Sequence, residues 1–495
     1  MTTAELLRNA AREHPDREAY VQGSRRVTYA ELDRMADAMG STLVSGGVRP
    51  GDVVSFLLPS SIEFAAAYAG ALRAGAVTSA LNLRLGPAEQ ASIFARTEPR
   101  VTVVGDGVTA PAGAGRIVDA EELAGILASE PQGAEFPTLS DRDTACVVWT
   151  SGTTGAPKGA VYDHETMAAI SRNVGELTHP GDRRLVVLPF AHVGYMTRMW
   201  DELANATTIV LVGEPWSATE TLRLIRDERI TMATGVPTQW QLVLDHADCA
   251  RTDFSGLRVA GLGAATIPPE LVRRMRETLR CPVLTRYTST EAGVTTSTRV
   301  DDPPEIVATT VGRPAPEVDM RIIGPDGAPL PDGEVGEVVC RSPAMMRGYW
   351  RDQEATADTI DADGFLHTGD LGFIGADGNL RLVGRLKEMY LRGGYNVYPA
   401  EVEGVLADHP RVTRAAVVGV PDPVLGEVGV AFVVPEPDVS PPTGSELRDW
   451  CRARLADYKA PDRVEIVDDL PVTSMLKVDK ARLLAQAQET AKESA

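Results

Sequence analysis

The chain has no surplus of basic residues: 49 Lys and Arg stand against 69 Asp and Glu, a formal net charge of −20 at pH 7. Phosphate backbones are held by clustered cations that release counterions, so nucleic acid is not an expected partner. Cysteine is scarce, and Cys146, Cys249, Cys281, Cys340 and Cys451 stand far apart with no C-x-x-C pair. Such spacing offers neither a disulfide framework nor a zinc site, and the thiols read as buried. Long apolar runs are also missing. The longest, Phe64 to Leu72, falls far short of the roughly 20 residues that span a bilayer. Between Met1 and Tyr20 the charges of Glu5, Arg8, Arg12, Glu13 and Asp16 interrupt any stretch that would serve as a secretory leader. The expectation is a cytoplasmic protein that binds no membrane. Aromatic residues make up only 5%, but 43% apolar and 24% charged residues are ordinary for globular chains. At 495 residues the length predicts about two to four packing units.

From Glu5 to about Leu127, strand-like runs such as Val53–Leu58 and Val101–Val104 alternate with helical stretches such as Ala30–Leu43 and Ile62–Ala74. This rhythm predicts a largely parallel sheet covered by helices. An Ala-, Gly- and Pro-rich stretch over 111–138 reads as a subdomain join before the strand Ala145–Thr150. The rhythm resumes through Leu185–Leu188, Thr208–Val212, Ile230–Thr234, Leu257–Gly261 and Val283–Arg286. Between Val311 and Val383, short runs broken by Pro-Asp-Gly and Ala-Asp-Gly turns predict a small β-rich unit. Beyond Arg385 the order is helix, strand, strand, helix, strand. The fold class expected is therefore α/β. A large N-terminal domain over 1–386 has α/β subdomains at about 1–140 and 141–310 and a small β-barrel over 311–386, and a small α+β domain follows over 387–495.

The most informative stretch is Thr150-Ser151-Gly152-Thr153-Thr154-Gly155-Ala156-Pro157-Lys158-Gly159, directly after the apolar strand. Its glycines let the backbone approach an anion, and its hydroxyls and Lys158 supply donors for phosphate oxygens. It is not a Walker A loop: Pro157 stands where Gly is required, and Gly159 where Ser or Thr is. A second glycine pattern, Gly105-Asp106-Gly107-Val108-Thr109-Ala110, matches a dinucleotide fingerprint, but Pro111, Gly113 and Gly115 exclude the helix it needs.

The phosphate loop resembles the signature of the acyl-adenylate-forming superfamily, which includes acyl- and aryl-CoA ligases, peptide-synthetase adenylation domains and luciferases. Further stretches match the family in order: Pro189-Phe190-Ala191-His192-Val193-Gly194, Tyr287-Thr288-Ser289-Thr290-Glu291, Thr368-Gly369-Asp370, Gly384-Arg385-Leu386-Lys387 and Pro471-Val472-Thr473-Ser474-Met475-Leu476-Lys477. The resemblance implies that ATP and Mg²⁺ convert a carboxylic acid to an acyl-AMP with release of pyrophosphate. It assigns the phosphates to Thr150, Ser151, Gly152, Thr153, Thr154, Gly155 and Lys158, with Tyr287 and Thr288 beside the nucleotide. Thr290 is expected at the α-phosphate, Glu291 as the Mg²⁺ ligand, Asp370 and Arg385 at the ribose, and Lys477 bridging carboxylate and α-phosphate. His192 is expected to border the acid pocket, with Gly263 and Ala264 in the turn lining adenine and acyl group. Rotation of the C-terminal domain about Lys387 would withdraw Lys477 and bring up Gly393 and Gly394 to line an acceptor tunnel.

The chain departs from the family pattern at Leu476 and Thr288, where Gly is usual, and at Val472, where a basic residue is frequent. On a helix after His192, Gly194, Arg198 and Asp201 would share one face. Asp201 is then expected to accept from an N–H or O–H of an aryl or heteroaryl acid, with Tyr195, Met196, Met199, Trp200 and Thr288 around it. The alternative is an Arg198–Asp201 ion pair at a helix surface. With Asp201 and the altered lysine segment, the chain resembles actinomycete amide-bond synthetases, which implies transfer of the acyl group to an amine. Transfer to coenzyme A, giving a thioester, is the other acceptor the superfamily implies.

Overall fold

The computed structural model describes residues 1–150, 157–263, 267–437, 439–473 and 478–493. A nine-stranded sheet runs from Arg313–Pro314 through Gly293–Ser297, Val283–Ser289, Val259–Leu262, Met232–Gly235, Arg183–Val186, Thr208–Leu211 and Glu18–Gln22 to Arg25–Thr28. Its interior pairs are parallel, and antiparallel hairpins close both edges. A six-stranded sheet orders Arg116–Val118, Val101–Val104, Val53–Leu57, Val77–Ala80, Thr144–Thr150 and Lys158–Asp163, all parallel except the last.

Between these layers lies the helix Ile62–Arg73, where Phe64, Ala65, Ala66, Ala67, Tyr68 and Ala71 are all fully buried. A helix apolar on every side is stable only when covered on every side. The Ser61 hydroxyl caps it, accepting from Phe64 N at 3.1 Å. Gly70 lets the helix Tyr29–Ser45 come close, since a Cβ there would stand 2.8 Å from the Ala36 carbonyl.

The sheets do not follow the expected boundary near residue 140. The hairpin Glu18–Thr28 belongs to the nine-stranded sheet, and the hairpin Thr144–Asp163 completes the six-stranded one. The stretch read as a join also supplies the edge strand Arg116–Val118 and the helix Ala120–Ala128. Periodicity reports the type of an element but not its sheet, because any parallel strand of similar length offers the same ladder.

The strands Asp319–Ile323, Gly336–Arg341, Leu366–Ile374 and Leu380–Arg385 form a four-stranded antiparallel sheet. Beyond it a sheet of Tyr395–Val397, Tyr390–Arg392, Gly426–Pro435, Val412–Asp422 and the parallel strand Arg463–Ile466 packs on one face against Pro399–Ala407 and Gly444–Arg452. The helix Lys480–Glu493, unmarked in the sequence pattern, sets Leu483 and Ala487 against Val418, Val420 and Phe432 on the other face. Its Lys480 bonds Glu388 at 2.7 Å and Glu403 at 2.9 Å, tying the helix to the segment after Arg385. All five cysteines are buried and unpaired. Among the described residues no helix is long and apolar enough to cross a membrane.

Candidate active site

Two hairpins and a tyrosine bring the phosphate and metal candidates together. Thr150 and Lys158 face each other across the first hairpin, and the Thr150 hydroxyl donates to the Lys158 carbonyl at 3.3 Å. Ser151, Gly152, Thr153, Thr154 and Gly155 lie outside the described residues. The Lys158 ammonium sits 5.0 Å from the centroid of the Tyr349 ring, and the Tyr349 hydroxyl donates to Glu291 Oε1 at 3.1 Å. One ring thus aligns a cation with a carboxylate. Thr290 and Glu291 are half-buried at the tip of the second hairpin. The Tyr162 hydroxyl donates to the Thr290 carbonyl, and Met346 N donates to that of Glu291 at 2.8 Å. Gly293 turns this tip with φ of 67°, and a Cβ there would stand 2.5 Å from the Ala344 carbonyl.

The nucleoside candidates form a second group. Asp370 is 7% exposed and accepts from the Tyr287 hydroxyl at 2.5 Å, while Arg385 Nε pairs with its other oxygen at 2.9 Å. Burial, reinforced by the Asp370 charge, holds the Tyr287 hydroxyl well above its ordinary range, so it remains a donor. Pairing of Asp370 with Arg385 across two adjacent strands sets the carboxylate's direction. Leu386 N donates to the Gly369 carbonyl at 2.8 Å, which fixes the chain just before Lys387. Lys387 is exposed, as are Gly393 and Gly394, whose φ values of 58° and 85° form the turn before Tyr395–Val397. Lys477 and Leu476 lie outside the described residues.

The acid-pocket expectations are corrected in part. The helix after His192 is not continuous: Val193–Met196 and Met199–Ala204 are separate short helices broken at Thr197-Arg198. His192 caps the first, its Nδ1 accepting from Gly194 N at 3.1 Å, so a neutral ring carries its proton on Nε2. Tyr195 and Met196 do not line a pocket. They are 1% and 0% exposed, the Tyr195 ring stacks on Phe190, and its hydroxyl meets that of Tyr20 at 2.8 Å. Met199 is likewise fully buried, and Trp200 is half-buried.

Asp201 is also not an open acceptor. It is 2% exposed, and its oxygens take Arg198 Nη2 at 2.5 Å, the Thr178 hydroxyl at 3.0 Å and Asn205 Nδ2 at 3.2 Å. The Arg198–Asp201 pair is therefore present, but in the interior rather than at a helix surface. Gly263 and Thr288 are neighbours, since a Cβ on Gly263 would stand 4.0 Å from the Thr288 hydroxyl; Ala264 lies outside the described residues.

Three features were not singled out in the sequence. Tyr349, in the run Gly348-Tyr349-Trp350, joins Lys158 to Glu291. Arg184 pairs with Glu202 at 2.7 Å in the interior, and burial pushes the Glu202 carboxyl up to about 7 although both Arg184 and Arg198 pull it down. Arg286, on the strand leading to Tyr287, is buried, and burial, with Arg198 next in weight, brings its guanidinium down to about 9. A charged residue in the apolar run Val283–Tyr287 was the available signal for Arg286.

Residues 7–350 match the model of the AMP-binding enzyme family, and residues 401–477 match that of the AMP-binding enzyme C-terminal domain. A methyl-dioxo-octahydroindenyl-propanoyl:CoA ligase of Rhodococcus jostii is 38% identical, the match covering 97% of each chain. ATP-bound MatB from Rhodopseudomonas palustris superposes with a TM-score of 0.90 at 28% identity, covering 98% of this chain and 99% of that one. The amide bond synthetase McbA from Marinactinospora thermotolerans superposes with a TM-score of 0.87 at 31% identity, again over 98% and 99%. With the signature stretches in order and the side chains around Glu291 and Asp370 brought together by the fold, the chain belongs to the AMP-binding enzyme family and is an ATP-dependent, AMP-forming acid ligase.

Proposed function

We propose that the protein adenylates a carboxylic acid and passes the acyl group to coenzyme A. The observation that carries the choice of acceptor is the Rhodococcus CoA ligase, 38% identical along 97% of both chains. In this reading Asp370 receives the ribose hydroxyls, held in place by Tyr287 and Arg385. Lys158 and the hydroxyl-rich loop balance the phosphate charge, and Thr290 donates at the α-phosphate. The half-buried Glu291 carboxylate beside Lys158 fits a hard divalent cation that keeps most of its shell as water and phosphate oxygen. When bound, Mg²⁺ supplies charge neutralisation as pyrophosphate leaves. His192, its Nδ1 anchored to Gly194 N, presents its other edge to the pocket. Lys477 orients the attacking carboxylate against the α-phosphorus, and rotation of residues 387–495 about Lys387 replaces it with the Gly393-Gly394 turn for thioester formation.

Amide formation is the second reading, favoured by the likeness to McbA and by the side chains at Thr288 and Leu476. The two are separated by incubation with ATP, Mg²⁺ and a panel of acids, with coenzyme A or a simple amine as acceptor and products read by mass. The expected product is the thioester. Amide above the uncatalysed background, with no thioester from any acid, overturns the choice of acceptor. Absence of acid-dependent exchange between pyrophosphate and ATP overturns adenylation itself.

A further inference from the structure

Along the strand Val283–Ser289, side chains alternate between two faces. The Thr285 hydroxyl donates to the Thr310 carbonyl at 2.8 Å and Tyr287 reaches Asp370, which sends Arg286 to the opposite face. There the residue is 7% exposed, its Nε and Nη2 are buried with no hydrogen-bond partner, and no ion pair includes it among the described residues. The charged groups whose fields act on it are Arg198, Asp201 and Arg184. Asp201 is committed to Arg198, and Arg184 is paired with Glu202. Each of those two guanidiniums has its own carboxylate, and among the described residues Arg286 has none.

A buried cation without a counter-ion destabilises the fold that holds it, so its persistence points to an anion that arrives from outside. The position agrees. Arg286 is the residue before Tyr287, and a Cβ on Gly263 would stand 3.3 Å from the Arg286 carbonyl. Arg184 Nη2 donates to the Gly194 carbonyl at 3.2 Å, which sets the cluster directly behind the segment that His192 caps. The two unpartnered donors, Nε and Nη2, form one side of the guanidinium fork, and a carboxylate presents two oxygens at the matching spacing.

We propose that Arg286 is a specificity-determining residue whose guanidinium receives a second carboxylate on the acid, so that the substrate class is dicarboxylic. The inference rests on the adenylation reading only for the fate of the first carboxylate. That group attacks the α-phosphorus, and the second stays ionised against Arg286 without entering the reaction.

The test compares pairs of equal length, succinate with butyrate, glutarate with valerate and phthalate with benzoate, in acid-dependent exchange of pyrophosphate with ATP. The better diacid is expected to exceed its partner at least tenfold in kcat/KM, and Arg286→Met to lower that ratio by at least tenfold. Arg286→Lys, which keeps the charge but loses the fork, should fall between. Thermal shift of the wild-type protein by the same acids is read in parallel, with the diacid raising Tm more than its partner. Equal or greater activity with every monoacid overturns the proposal, as does an unchanged ratio in folded Arg286→Met. If no acid supports exchange, adenylation fails, and the thermal shift alone then decides for or against Arg286. Should Arg286→Met not fold, the wild-type ratio and the Arg286→Lys ratio decide.

Discussion

Replacing Asp370 by Asn keeps the side-chain shape but exchanges one oxygen for an amide nitrogen and removes the charge. Each carboxylate oxygen already accepts one protein donor, Tyr287 on one side and Arg385 Nε on the other. A carboxylate accepts at both oxygens and donates at neither, which is what two ribose hydroxyls require. An amide at this position has one acceptor and one donor, so at least one charge-assisted bond to the ribose is lost. Such a bond contributes about 1.5–3 kcal/mol, which is roughly a ten- to 150-fold fall in kcat/KM for ATP. The assay is exchange of pyrophosphate with ATP at saturating acid, with ATP varied and the thermal transition recorded as a check on folding. A second nucleotide sharpens it: 2′-deoxy-ATP should be a poor substrate for the wild type, and the variant should lose most of that discrimination, because the acceptor for the 2′-hydroxyl is already compromised. An Asp370→Asn enzyme within threefold of wild type, or one with the 2′-deoxy penalty intact, would refute the placement of the ribose.

Three further expectations concern the interior. His164 is buried against Thr3, and burial brings its imidazole down from 6.5 to about 4. The unfolded chain binds the proton first as pH falls, so stability should be lost between about pH 6.5 and 4, by at most roughly 3 kcal/mol. Urea midpoints for His164→Gln should be flatter across that window, and curves parallel to wild type would contradict the assignment. Asp201→Ala leaves Arg198 buried and unpaired, which should cost about 3–5 kcal/mol; joint replacement, Arg198→Met with Asp201→Leu, should recover most of it, and denaturant titration of the three proteins decides. Tyr195→Phe removes the bond to Tyr20 and should cost about 1 kcal/mol while leaving the ranking of acids unchanged; a changed ranking would return Tyr195 to the pocket.

The residues proposed for the nucleotide chemistry stand out in the sequence because they sit in short stretches whose spacing along the chain is their signature. Tyr287, Glu291, Asp370 and Arg385 needed no knowledge of packing to be found. The acid pocket was less legible. A helical wheel drawn through His192 to Asp201 assumed an unbroken helix, and the break at Thr197-Arg198 turned Tyr195 and Met196 into the core and Asp201 onto Arg198. Tyr349 was missed for a different reason: its role depends on touching two residues, Lys158 and Glu291, that are distant in sequence.

By itself the sequence determined element types, the order of the nucleotide motifs and the reaction class, because backbone periodicity and short-range motif spacing are written locally along the chain. Tertiary structure alone decided which strands share a sheet, that Asp201 is spent on Arg198, and that Arg286 has no counter-ion among the described residues. Those outcomes depend on which charges meet in the interior, where desolvation makes every pairing, or its absence, count.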